Sequence, residues 1–336
     1  DSMKTNFLQQ FLLATSFAIT LLCSSCSNEE NIPDQNSNNN EPAIGNIVET
    51  SEFLYESINE NEDVEFPLFD VKTLKSVLSD LGTTQNNKAL SYWGVGIDYR
   101  VWKWNGSSWG QPNPAARLRS VHLSSYGTNN GTGVWAIGTD RHVWKWTGSC
   151  WDPVNSVRTI TDLAPWDDTR ALALEPSTGG NRVLITTNGG YTWSQVGTKT
   201  GFISISVGNS YNVWGIWSSN GNISGTKYLY KYNFNTNIWD YVPTPVSPTI
   251  AAAMFTDGVY INEYATPSRV FRALDGVTFV QPNPAARIYS GLDAANDEII
   301  CAIGGSNHPV YSVNAGGVWD YLNYQAQLRS VNAGFE

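Results

Sequence analysis

Side chains that could carry chemistry are few and widely spaced in this 336-residue chain. The three histidines, His122, His142 and His308, stand apart without metal-ligand spacing, and each reads as a polar strand or loop residue. Beyond residue 90 the glutamates are Glu175, Glu263, Glu298 and Glu336. Hydrolysis by two carboxylates needs a pair converging across one bond, which spacing alone does not establish. No glycine-rich phosphate loop precedes a helix, and no serine sits in a nucleophile elbow. What remains suits recognition without catalysis, metal or cofactor: Tyr99, Arg100, Asn113, Arg117, Asp140, Arg141, Trp217, Tyr264, Asn283, Arg287 and His308. Sugars present C–H faces that stack on rings and hydroxyls that need paired donors and acceptors, which Tyr and Trp beside Asp, Asn and Arg supply. The same residues also suit ordinary solvated loops.

The elements that position these residues begin after a different kind of segment. Residues 1–90 hold 4 basic and 14 acidic side chains, whereas residues 91–336 hold 16 of each and all 14 tryptophans. The formal net charge of −10 therefore belongs to the front segment. A neutral body with dispersed charge is a poor polyanion binder, so nucleic acid is excluded as a partner.

From Met3 the chain has a basic start at Lys4, an apolar run from Phe11 to Leu22, small residues and then Cys26, the pattern of a secretory leader over residues 1–25. A cysteine directly after small residues resembles the lipobox of bacterial lipoproteins, which implies acylation of Cys26 and an outer-membrane anchor. The alternative is an ordinary signal peptide cut elsewhere. The acidic cluster behind Cys26 resembles the surface-export signal of Bacteroidota lipoproteins; a merely solvated linker on the periplasmic leaflet is the other reading. Residues 26–66 read as a flexible acidic tether. In the connector 67–90, Leu68, Val71, Leu74, Leu78 and Leu81 recur at helical spacing and predict a short amphipathic helix at about 70–81.

The body, 91–336, repeats. An aromatic after a glycine-containing turn recurs as Trp109, Trp151, Trp193, Trp239, Phe279 and Trp319, at intervals of 42, 42, 46, 40 and 40. An aliphatic-aromatic pair keeps the same beat: Val101-Trp102, Val143-Trp144, Val183-Leu184, Leu229-Tyr230, Val270-Phe271 and Val310-Tyr311. The heptapeptide QPNPAAR occurs at 111–117 and again at 281–287. Units of this length, read as four short strands apiece, are the signature of β-propeller blades. The expectation is an all-β, six-bladed β-propeller of four-stranded blades. LRSV at 328–331 repeats LRSV at 118–121, so the C-terminal strand is expected to pair with Ser91–Val95 and complete the first blade. Lys and Trp alternate in VWKW, which reads as packing between blades.

The units Tyr92-Trp93-Gly94-Val95 with Val101-Trp102-Lys103-Trp104, Val134-Trp135-Ala136-Ile137 with Val143-Trp144-Lys145-Trp146, and Val213-Trp214-Gly215-Ile216 with Leu229-Tyr230-Lys231-Tyr232 resemble the tectonin (tachylectin-like) β-propeller family. Its members are commonly lectins or pattern-recognition proteins, so the resemblance implies glycan binding. Thr186-x-Asn188-x-Gly190-x-x-Trp193 and Ser312-x-Asn314-x-Gly316-x-x-Trp319 resemble the Asp-box of sialidases, with Asn in place of Asp. That motif is a structural hairpin device, and the Arg-Ile-Pro motif a sialidase carries is missing from this sequence.

In a propeller the candidate residues share one rim, and the long 218–227 insertion beside Trp217 is the widest departure from the repeat. Two functional readings follow. One is a surface-anchored lectin-like lipoprotein; the other is a structural accessory subunit docked on an outer-membrane protein complex such as a nutrient importer or secretion channel. Degraded repeats favour the second, since one asymmetric partner needs only one specialised face.

Overall fold

A computed structural model describes residues 90–124, 133–155, 158–209, 211–254, 256–263, 268–285, 288–322 and 326–335. The leader, Cys26, the tether and the helix expected at 70–81 lie outside the described residues, as do Tyr264 and Arg287. The described chain is β-structure throughout, apart from a single 3-10 turn at Gly305–Asn307.

Three sheets are four-stranded. The first runs in the order β22 (Leu328–Phe335), β1 (Leu90–Gly96), β2 (Val101–Trp104) and β3 (Trp109–Gly110). The second comprises β4 (Leu118–Leu123), β5 (Val134–Gly138), β6 (Val143–Trp146) and β7 (Trp151–Asn155), and another comprises β18 (Ser290–Ala294), β19 (Ile300–Ile303), β20 (Pro309–Ser312) and β21 (Asp320–Tyr321). The C-terminal strand does pair with the first: Val331 lies opposite Gly94 and Ser330 opposite Val95, and the ladder continues to Leu90 opposite Phe335.

Two places depart from four strands. A seven-stranded sheet joins β8 (Asp162–Pro165), β9 (Ala171–Glu175), β10 (Asn181–Thr186), β11 (Ser194–Val207), β12 (Val213–Ser218), β13 (Lys227–Asn233) and β14 (Ile238–Val242). The cause is β11, which pairs with β10 through its first half and with β12 through its second, so the third and fourth repeats share one continuous strand. The fifth repeat has three strands, β15 (Pro248–Ala253), β16 (Val259–Glu263) and β17 (Val270–Ala273), with only an isolated Arg272–Val280 bridge where a fourth would lie.

The second strand of a repeat is buried on both faces, as in Val134–Gly138, because its sheet is covered on each side. The core accordingly divides into six clusters, each shared between successive repeats. Trp93 of β1, for example, packs edge-on against Trp146 and Trp151 of the second sheet at 5.6 and 6.0 Å. Pairs of this kind are worth about 0.5–1.5 kcal/mol beyond their buried area. The lysines of the two VWKW strands and of the corresponding LYKY strand have a packing role too. Lys103, Lys145 and Lys231 lie directly opposite Trp93, Trp135 and Trp214 in the strand register, and each ammonium sits 4.8–5.1 Å from its tryptophan ring.

The two Asn-for-Asp hairpins form as the sequence predicts. Gly190 N–H donates to Thr186 Oγ1 at 2.9 Å, Thr192 N–H donates to Asn188 Oδ1 at 2.9 Å, and Trp193 Nε1 donates to Gly190 O at 2.9 Å. Ser312, Asn314, Gly316 and Trp319 repeat the arrangement at 2.8–3.1 Å.

The first strands of successive repeats also touch one another, and side-chain oxygens cap the backbone donors between them. Asn332 of β22 accepts from Leu123 N of β4 (2.8 Å), Asp162 of β8 from Ile205 N of β11 (2.9 Å), Ser206 of β11 from Ala253 N of β15 (2.9 Å) and Asp293 of β18 from Ala333 N of β22 (2.9 Å). Contacts between β4 and β8 and between β15 and β18 complete the sequence of neighbours.

Candidate functional site

Two equivalent turns position the most prominent candidates. In Gly96-Ile97-Asp98-Tyr99-Arg100, Gly96 N donates to Arg100 O and Tyr99 N to Gly96 O, while Asp98 Oδ1 accepts from Arg100 N at 3.1 Å. In Gly138-Thr139-Asp140-Arg141-His142 the same bonds recur, with Asp140 Oδ1 accepting from His142 N at 3.0 Å and Asp140 Oδ2 lying 3.1 Å from His142 Nδ1. Asp140 is therefore spent on its own turn, and Arg100 faces Asp98 at 3.4 Å. The residue between them takes a left-handed backbone, φ 65° for both Tyr99 and Arg141. That conformation lets its carbonyl accept from the strand entering the next repeat, Leu118 N for Tyr99 and Ile160 N for Arg141, each at 2.9 Å.

Tyr99 and Arg141 meet two arginines that sequence reasoning did not select, Arg119 of β4 and Arg329 of β22. The Arg329 guanidinium lies 4.6 Å from the Tyr99 ring centre. Burial lowers the pKa of Arg119 below the ordinary arginine value, and the positive charges of Arg141 and Arg329 push it the same way. The signal was available: both residues occupy the second position of the LRSV repeat, read only as a marker of strand pairing.

The remaining candidates do not join this group. Arg117 turns back on its own loop and donates to the carbonyls of Pro114, Ala115 and Ala116 at 2.8–3.2 Å. Asn113 and Asn283 stitch the two QPNPAAR turns through Ala115 N and Ala285 N. His308 Nδ1 is 3.4 Å from Ala326 O, with its ring edge-on to Tyr321. Trp217 is half-buried: its Nε1 donates to Thr200 O at 2.6 Å, and Lys199 covers the ring at 4.5 Å. The insertion beside it is held by backbone contact. A Cβ on Gly180, at φ +103°, would lie 2.6 Å from Gly201 Cα and 2.9 Å from Gly221 Cα, so three glycine turns pack directly together.

A concave site appears at the other end of strands β12 and β13. An open groove of about 540 Å3 is lined by Tyr211 from the β11–β12 connection and by Tyr232, Asn233, Phe234, Asn235 and Asp240 around the β13–β14 turn. Tyr211 is 45% exposed and stands edge-on to Phe234 at 5.5 Å. Asn233 Nδ2 donates to Asp240 Oδ2 at 2.8 Å, fixing the polar side of the groove. Neither residue was singled out from the sequence.

Where the first strands meet, three titratable groups, His122, Asp162 and Asp293, are partly buried. Burial raises Asp162 and Asp293 to about 7 against the backbone N–H groups that stabilise their charged forms, and Asp162 adds a smaller push on Asp293. Burial lowers His122 to about 4, so it is neutral at physiological pH, 2.8 Å from Ser120 Oγ. Among the described residues no cluster of His, Cys, Asp and Glu could hold a metal ion.

Small antiparallel sheets packed face to face, with first strands side by side, define the β-propeller class. The structure is similar to TolB from Acinetobacter baumannii, with a TM-score of 0.55 and 8% identity over 75% of this chain and 67% of that one. It is also similar to a putative TolB from Agrobacterium tumefaciens, with a TM-score of 0.50 and 8% identity over 75% of this chain and 99% of that one. YCF48 from Cyanidioschyzon merolae aligns with a TM-score of 0.45 and 14% identity over 71% of this chain and 83% of that one. Likeness at this identity describes the fold alone. No family model matches the sequence, and no curated protein matches it.

Proposed function

We propose that the chain is a lipoprotein anchored in the outer membrane through Cys26 and facing the cell surface, whose six-bladed, tectonin-like β-propeller binds glycan without catalysis. The ring is supported by the six core clusters between successive repeats and by the run of neighbours among the first strands. The glycan reading is carried by the groove at Tyr211, Phe234, Asn233 and Asp240. It places ring faces beside fixed amide and carboxylate groups, the two kinds of contact a sugar requires. Screening the full chain on a glycan array tests it. Saturable binding to at least one saccharide, weakened tenfold or more by Tyr211→Ala, is expected; a blank array, or binding indifferent to that substitution, refutes the reading.

A second reading is favoured by one feature. Leu274, Val277 and Val280 are 48–66% exposed beside β17, where the fifth repeat lacks a complete fourth strand. An apolar, incompletely covered edge suits docking on a protein. On this reading the chain is a structural accessory subunit of an outer-membrane importer or secretion channel. Stoichiometric co-purification with a β-barrel, lost in Val277→Asp, would replace the lectin reading.

A further inference from the structure

The group formed by Arg119, Arg141, Arg329 and Tyr99 contrasts with the arginines that face a carboxylate. Arg100 faces Asp98, Arg158 and Arg182 share Glu175 at 2.8–3.0 Å, and Arg269 faces Glu263. Arg119, Arg141 and Arg329 have no carboxylate partner among the described residues, although all three are partly withdrawn from water. Arg141 Nη1 goes further: it is shielded from solvent and has no hydrogen-bond partner there.

Holding like charges together without a counter-charge costs free energy, and an enclosed N–H donor left unpaired adds to that cost. The fold does not relax this by turning the side chains outward. Arg119 and Arg329 are fixed by strands β4 and β22, which the Asn332–Leu123 bond joins. Arg141 is held by the left-handed turn whose carbonyl bonds Ile160 N. The strand registers, Leu328 opposite Gly96 and Leu118 opposite Gly138, bring these arginines from three elements to the same strand ends, and planar guanidinium groups so grouped suit a planar or tetrahedral oxyanion, which accepts several N–H bonds at once. Tyr99 adds a phenol beside them, with Arg329 against one face of its ring.

We propose that Arg119, Arg141 and Arg329, with Tyr99, form an anion-binding site that takes the carboxylate or sulfate group of an acidic saccharide. The arginines alone define the anion; the choice of a sugar as its carrier rests on the glycan reading above. The site is separate from the groove at Tyr211, which lies at the opposite strand ends of a different repeat.

Calorimetric titration of the full chain with sodium glucuronate, glucose, inorganic sulfate and an oligoglutamate peptide tests the assignment. Glucuronate is expected to bind saturably and glucose not at this site. Arg119→Gln and Arg329→Gln should each weaken glucuronate tenfold or more, with Arg119→Lys recovering part of the loss. Raising the salt concentration should weaken it further. Circular dichroism and the melting temperature of each variant establish that it is folded, and two arginines on different strands keep the test open if one variant does not fold. Glucuronate binding unchanged in both folded variants overturns the proposal. Sulfate binding as tight as glucuronate overturns the saccharide assignment, as does preference for the peptide. If glucuronate fails while array binding still depends on Tyr211, only this site is refuted; if both fail, the lectin reading falls with it.

Discussion

Asp162→Asn isolates the cost of placing a carboxylate between the first strands. Asp162 is partly buried between the first strands, with Oδ1 accepting from Leu163 N and Oδ2 from Ile205 N, each at 2.9 Å. Burial nevertheless prevails and raises its pKa to about 7, above an unfolded value near 3.9. The sign follows from linkage. Between about pH 4 and pH 7 the folded chain holds a proton that the unfolded chain has lost, so stability falls as pH rises through that window and levels off above it. At about 1.4 kcal/mol per pH unit, the step from pH 5 to pH 8 removes about 3 kcal/mol through this one group. An asparagine does not titrate. It surrenders one acceptor, which costs about 1–3 kcal/mol, but that cost is independent of pH and cancels in the comparison. Urea unfolding at pH 5 and pH 8 measures both proteins. The wild type should lose about 3 kcal/mol more than Asp162→Asn across this range. All other titrating groups are common to the two chains, apart from the smaller push of Asp162 on Asp293, which acts in the same direction. Parallel pH profiles for the two proteins would refute the reasoning, because they would mean that Asp162 is ionised in the fold at little cost.

Three further outcomes are expected. Thr186→Val should destabilise the third repeat by about 1–3 kcal/mol in urea unfolding, since Gly190 N–H loses its hydroxyl acceptor inside a closed hairpin. Gly180→Ala should displace the 218–227 insertion, because its Cβ would meet Gly201 and Gly221 backbone below 3 Å at positive φ; faster amide exchange confined to that insertion and the turns at 180 and 201 is the readout. Asn332→Ala should cost about 1–3 kcal/mol by leaving Leu123 N–H unpaired between β22 and β4, and Asn332→Asp should recover part of that loss, as measured by thermal unfolding.

Much of the architecture was legible because it depends on residue types that few others can replace. A tryptophan after a glycine turn must be large and flat to reach the neighbouring sheet, so Trp109, Trp151, Trp193 and Trp239 keep the repeat visible, and all four are buried. The pairing of the last strand with the first was legible from the same LRSV signature. Two departures were not. The fusion of the third and fourth repeats depends on β11 continuing through Gly197 and Gly201, and glycines in a repeat with turns at every interval read equally well as a break. The thin fifth repeat depends on residues 274–280 failing to form a ladder, although Phe279 preserves the marker. Of the proposed anion site, Tyr99 and Arg141 stood among the sequence candidates because of their place in a turn. Their partners were hidden because Arg119 and Arg329 lie within strands, where alternation describes which face a residue takes but not which neighbouring element it meets. Asp140 and Arg117 bond within their own turns, a local pairing that residue type and loop position do not reveal in a sequence.

The junctions between first strands explain why the repeat fades there while the fold persists. Each of four junctions presents a backbone N–H that needs an acceptor, and the chain supplies it from Asn332, Ser206, Asp162 or Asp293. The requirement is for an oxygen at hydrogen-bond distance, not for one residue type, so the positions share a function without sharing a letter. Amide and hydroxyl meet the need without charge; the two carboxylates meet it at the cost of burial, which is why both titrate near neutrality. It follows that the two kinds of junction are separable by pH. Replacing Asn332 or Ser206 should shift the whole stability profile downward by a constant amount, whereas replacing Asp162 or Asp293 with asparagine should flatten it between pH 4 and pH 7. If the Asn332 and Ser206 variants instead altered the slope in that interval, the acceptors would be coupled to the carboxylates rather than acting junction by junction.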